Sequence, residues 1–176
     1  SIIVSHDAPH LAALCHRLAL IDKGTIIQQG PFESIYGAPL SRPAAKITGA
    51  AFFVDGESDG DSARSELGVI PLLPRSATGK GCVILRPENF RLLAASADVL
   101  FPAGTVTKSV FVAGRWRTYF RLRHLEFWTW QDTPRRENES MALAIGPAAF
   151  IPAERQEEGV SVVDEADAGA GHRKSP

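Results

Sequence analysis

The chain opens Ser1-Ile2-Ile3-Val4-Ser5-His6-Asp7. Three consecutive β-branched apolar residues with no polar alternation predict a short strand buried on both faces, as in a parallel sheet covered by helices. The apolar run stops at the polar triplet Ser5-His6-Asp7. Beyond it Leu11, Leu14, Cys15 and Leu18 recur at helical spacing, with Asp7 placed to cap the helix and Pro9 in its first turn. His6 therefore falls where a buried strand gives way to a helix, the place where open α/β sheets hold ligands.

Other chemistries at this triplet are weak. Neighbours in an extended chain point to opposite faces, so Ser5, His6 and Asp7 cannot line up as nucleophile, base and orienter. A metal centre would need His6, His10 and His16 to converge, and their spacing brings only the first two near one helical face.

Working outward, Leu18 to Gln29 reads as two short strands around Asp22-Lys23-Gly24, where glycine supplies the positive φ of a tight hairpin. The hairpin is expected to add an antiparallel edge to the sheet. Gly30-Pro31 then opens a short helix through Phe32, Ile35 and Tyr36, ended by Gly37 and Pro39. This ordered run of strand, Ser-His-Asp, helix, hairpin and helix resembles the end of the nucleotide-binding domain of ABC transporter ATPases. The resemblance implies that His6 is the switch histidine, which contacts the γ-phosphate of ATP and helps position the attacking water across a dimer interface.

Length and charge set the wider limits. A chain of 176 residues can bury a core, and a formal charge of −1 exerts no global pull toward nucleic acid or an anionic membrane. No apolar run approaches the length of a spanning helix. Cys15 and Cys82 are too few and too far apart in sequence for a disulfide scaffold, which suits a reducing cytoplasm. A parallel strand at the very start needs neighbours that these residues do not supply, so the sequence is expected to be the carboxy-terminal piece of a longer protein. No phosphate loop of the form Gly, four residues, Gly-Lys-Ser/Thr occurs in it, nor do the acidic residues that would hold magnesium. By itself the piece is expected not to hydrolyse ATP.

Ser41-Arg42-Pro43 reads as a connector, and Ala51-Phe52-Phe53-Val54 as the first strand of a second region. Asp55 to Glu66 is acidic and rich in glycine and serine, which predicts a surface loop. Gly60 and Glu66 partly match a calcium loop counted from Asp55, but the flanks are strand-like rather than helical. Short strands then follow without helices: Leu67 to Leu73, Gly81 to Arg86, Asn89 to Leu93, Gly104 to Val112, Trp116 to Arg123, Glu126 to Trp130 and Met141 to Ile145. Such a series predicts a small β-barrel or sandwich.

Within it Arg86-Pro87-Glu88 with Phe90-Arg91-Leu92, then Gly104-Thr105-Val106, then Ile145-Gly146-Pro147 with Phe150-Ile151-Pro152, resemble the TOBE domain, an OB-like barrel appended to many importer ATPases. OB barrels also bind single-stranded nucleic acid, so Trp116 to Arg123 needs weighing. Alternation puts Trp116, Thr118, Phe120 and Leu122 on one face, and Arg117, Tyr119, Arg121 and Arg123 on the other. One tyrosine among arginines is a poor stacking platform, so the first face is expected to fill the barrel and the arginines to meet water or the carboxylates of the acidic loop.

The fold class expected is thus the α/β tail end of a P-loop ATPase domain followed by an all-β OB-like (TOBE) barrel. Residues 1–40 form the first part, 45–152 the barrel, and 153–176 an acidic tail too poor in apolar residues to order itself. The resemblance implies an ATP-binding subunit of an ABC importer for iron(III), polyamines, sulfate or sugars, with His6 as its catalytic and γ-phosphate-binding residue. ATP and Mg2+ would be bound mainly by residues outside these 176. The implied partners are a second copy of the subunit, transmembrane permease subunits and, indirectly, a periplasmic or extracellular substrate-binding protein. The implied location is peripheral, at the cytoplasmic face of the cell membrane. A stand-alone OB-type module for single-stranded nucleic acid is the alternative.

Overall fold

The computed structural model describes residues 2–94 and 102–157. The described residues form two compact units, one of residues 2–49 with 155–157 and the other of residues 50–94 with 102–154.

In the first unit, helix α1 (Ala8–Ala12) is capped as expected: the Asp7 carboxylate accepts the His10 amide at 3.0 Å, and Pro9 sits in the first turn. The helix is shorter than its apolar spacing suggests. It ends at Ala12, leaves Leu14 exposed, and releases Leu18 to open strand β1. Strands β1 (Leu18–Asp22) and β2 (Thr25–Gly30) pair antiparallel around Lys23 and Gly24, both with positive φ, the geometry a two-residue hairpin requires. They form a two-stranded sheet of their own rather than the edge of a larger one. Helix α2 (Phe32–Gly37) buries Ile35, and Tyr36 stacks on Phe32 at 5.6 Å. The expected connector is instead helix α3 (Arg42–Thr48), with Ser41 as cap and Pro43 in its first turn. Its buried Ala44 joins Leu11, Leu18, Leu20, Ile27 and Ile35 around one small core.

The opening residues correct the reading from sequence. Ile2 and Val4 are 94 % and 91 % exposed and belong to no strand. A parallel strand is stabilised by hydrogen-bonded neighbours and covering helices, and the described residues around it provide neither.

Among its described residues the second unit is built of β-strands with one 3-10 turn (Pro87–Asn89). One sheet contains β3 (Phe52–Ser58), β4 (Ser62–Ser65), β5 (Gly68–Pro71), β6 (Gly79–Leu85) and β12 (Ala149–Pro152) in the order β12-β6-β3-β4-β5. The other contains β7 (Phe90–Ala94), β8 (Ala103–Val112), β9 (Arg115–Leu122), β10 (Leu125–Gln131) and β11 (Ser140–Ile145) in the order β10-β9-β8-β11-β7. The acidic stretch read as a loop is therefore mostly the β3–β4 hairpin. Its turn is held by the Asp59 carboxylate, which accepts the amides of Asp61 and Ser62 at 3.1 and 2.8 Å. Charged residues on the solvent side of a hairpin leave no periodic apolar signal, which is why the strands were not visible there.

Inward-facing residues of both sheets, among them Val54, Ile70, Val83, Leu85, Val106, Phe120, Phe127 and Leu143, form one continuous core. Each sheet also curls so that its edges meet. Beyond β5 and before β12, Leu72 and Ala148 form a parallel bridge. In the second sheet the buried Thr129 hydroxyl on β10 donates to the carbonyls of Pro87 and Phe90, at 2.8 and 3.1 Å, beside β7. Arg86-Pro87-Glu88 is a structural corner: the buried Arg86 guanidinium donates to the Ala50 carbonyl at 3.2 Å, and the Asn89 side chain accepts the Arg86 amide and donates to the Pro147 carbonyl. A helical turn, α4 (Glu154–Glu157), follows where tail was expected; the rest of that segment, 158–176, lies outside the described residues.

Candidate functional site

His6 sits in an exposed bend immediately before α1. The bend is built from its neighbours: the Asp7 amide donates to the Ser5 hydroxyl at 3.1 Å, and the Asp7 carboxylate is spent on the His10 amide. Serine and aspartate therefore serve the backbone and not the imidazole, so no acyl-transfer relay exists at this triplet. What the arrangement does provide is an exposed histidine beside two side-chain caps of the backbone. Among the described residues no three His, Cys, Asp or Glu side chains cluster as metal ligands would.

The second candidate, the arginine face of β9, is placed largely as alternation predicts: Thr118, Phe120 and Leu122 are buried, and Arg117 and Tyr119 lie on the opposite face. Trp116, expected inside, is only half-buried against Phe111 at 5.3 Å. Register adds what single-strand alternation missed. Trp128 stands across from Tyr119 and Trp130 across from Arg117, so two tryptophans join the basic face. The Arg117 guanidinium lies 4.5 Å from the Trp128 ring and 5.1 Å from the Trp130 ring, Arg115 lies 5.8 Å from Trp130, and Lys108 lies 4.4 Å from Tyr119. Cations thus occupy the π faces that bases would need, which makes this a cation–aromatic ladder rather than a stacking platform. The signal was in the sequence: Trp128 and Trp130 flank the buried Thr129 and so share a face.

No family model matches the chain. Its curated relatives are import ATP-binding proteins. A Fe(3+) ions import ATP-binding protein of Rhodococcus jostii (strain RHA1) is 30% identical over 69% of this chain and 34% of its own length. A spermidine/putrescine import ATP-binding protein of Pseudomonas aeruginosa is 31% identical over 63% of the chain and 34% of its own length. A molybdate/tungstate import ATP-binding protein of Thermococcus kodakarensis is 26% identical over 69% and 41%. The homologues of this chain are thus ATP-binding subunits of ABC importers. The chain spans about a third of the length of the relatives it matches first. A stand-alone nucleic-acid module is not favoured by these relationships.

Proposed function

We propose that this chain works as part of the ATP-binding subunit of an ABC importer, coupling ATP hydrolysis to substrate uptake. The observation that carries the reading is the similarity to importer subunits over about two thirds of the chain. Those relatives are long enough to hold a phosphate loop and magnesium ligands outside the matched third, so ATP and Mg2+ would be bound mainly there.

His6 would contribute at the γ-phosphate. A neutral imidazole can accept a hydrogen bond from an attacking water, and a protonated one can donate to a phosphate oxygen. The capped bend supports that role because it presents the ring without tying it to a neighbour. The second unit would be an OB-like TOBE barrel that supports the subunit dimer or senses a regulator; its ring of short strands closed by the Leu72–Ala148 bridge supports this. Partners would be a second copy, the permease and, through it, a substrate-binding protein. The place of work would be the cytoplasmic face of the membrane; among the described residues no helix is long and apolar enough to cross one.

The test is ATP turnover by the whole subunit. His6→Ala is expected to lower the rate of phosphate release at least tenfold with little change in nucleotide binding, as for a group that acts in the chemical step. Turnover at the unaltered rate would remove His6 from the mechanism.

A further inference from the structure

The outer face of the second sheet carries a concavity of about 450 Å³ whose lining includes Thr105, Thr107, Arg121, Arg123, Glu137 and Asn138. Three local departures from regular strand geometry build it. Strand β8 bulges at Thr107, where pairing steps from Val106 opposite Phe120 to Lys108 opposite Tyr119. Asn138, at φ 64°, folds the segment before β11 back on β8: its amide donates to the Val106 carbonyl, and the Val106 amide donates to the Glu139 carbonyl, both at 2.9 Å. Arg123, at φ 56°, turns out of β9. At the floor, Gly104 lacks the Cβ that would overlap the Arg121 carbonyl and the Phe120 ring.

The lining carries two arginines and one glutamate. Arg121 and Arg123 are two residues apart at its wall, and among the described residues neither enters an ion pair. Glu126, directly across from Arg121, accepts the Thr107 hydroxyl at 2.9 Å instead. Guanidinium groups present forks of N–H donors suited to phosphate or carboxylate oxygens. Two such groups stand exposed at one wall of the concavity. The space exceeds what a bare oxyanion needs. Around the rest of the lining stand groups that exchange hydrogen bonds with hydroxyls: Thr105 and Asn138, which both donate and accept, and the Glu137 carboxylate, which accepts.

We infer that this concavity binds a small hydroxylated dianion, a sugar-sized molecule bearing a phosphate monoester or a pair of carboxylates, with Arg121 and Arg123 on the charged end and Glu137 and Asn138 on the hydroxyls. The inference rests on the geometry of the second unit and not on the importer reading, which it would supplement with a metabolite-sensing site.

Calorimetric titration of the protein with a hexose 6-phosphate, malate and inorganic phosphate tests it. Saturable binding of the hexose phosphate or of malate, tighter than that of inorganic phosphate, is expected, and the preferred probe identifies the charged group. The double substitution Arg121→Gln, Arg123→Gln should weaken that binding by about tenfold or more, the loss typical of charge-assisted hydrogen bonds. Arg117→Gln, in the tryptophan ladder, should leave it unchanged. Glu137→Gln should weaken the organic probe but not inorganic phosphate, which loses a like-charged neighbour. Circular dichroism checks that each variant is folded. No saturable binding of either organic dianion to the folded protein would overturn the inference. So would equal affinity in the double variant, or an organic probe no tighter than inorganic phosphate.

Discussion

Leu72 and Ala148 are joined by a parallel β-bridge: the Ala148 amide donates to the Pro71 carbonyl at 3.0 Å, and its carbonyl accepts the Leu73 amide at 2.9 Å. The other pairings in that sheet are antiparallel. These two hydrogen bonds tie the segment after β5 to the segment before β12, the two outer strands of that sheet.

Ala148→Pro should therefore cost more than its small side chain suggests. The substitution deletes the amide donor and leaves the Pro71 carbonyl unpaired, at about 1–3 kcal/mol. A lower midpoint in urea denaturation, with faster hydrogen exchange at Leu73, is the expected result.

Thr129→Val probes the other closure. The change is nearly isosteric but removes the hydroxyl that serves the Pro87 and Phe90 carbonyls, and the site is buried. A loss of about 1–3 kcal/mol is expected in chemical denaturation. A stability equal to that of the unaltered protein would mean that β7 and β10 are held together by ring packing alone, with Phe90 and Phe127 centroids 5.0 Å apart.

Arg117→Ala should remove the centre of the ladder. Two tryptophan rings lose their shared cation, worth about 0.5–2 kcal/mol in total, and become more exposed. The expected signature is a red shift and altered quenching of tryptophan fluorescence. Arg117→Lys should restore only part of the stability, because an ammonium cannot stack as a planar group does.

Asp59 gives a pH dependence of definite sign. Hydrogen bonds from the Ser62 and Asp61 amides favour its ionised form and hold its pKa below the ordinary 3.8. The stabilisation is then fully present above 3.8 and is lost as pH falls through the lower value of the folded state. NMR titration should place the Asp59 midpoint below that of an unstructured aspartate, with the Ser62 amide shifting in step. In Asp59→Asn the low-pH shift of that amide should vanish.

His6→Ala, by contrast, should leave stability within about 0.5 kcal/mol, as expected for an exposed residue away from packing and ion pairs. An unchanged denaturation midpoint together with slowed ATP turnover in the whole subunit would separate a chemical role from a structural one.

Much of the architecture follows from short-range rules legible in the chain itself. The Asp7 cap, the Lys23-Gly24 hairpin and the inward face of β9 each depend on a few neighbouring residues, so propensity, capping and alternation suffice to find them. His6 and the arginines at 117, 121 and 123 stand out for the same reason.

The partners across space do not follow from such rules. Strand β4 and helix α3 took their identity from packing that local composition does not report, through Ala63 in one core and Ala44 in the other. Ile2 to Val4 read as a buried strand because apolarity records a capacity for burial, while burial itself needs a neighbouring surface. The tryptophans beside Arg117 and the loop that completes the wall around Arg121 arrive through cross-strand register and a left-handed turn. Residue order by itself determined which side chains could face one another, and the free energy of closing two sheets around one core decided which of them met.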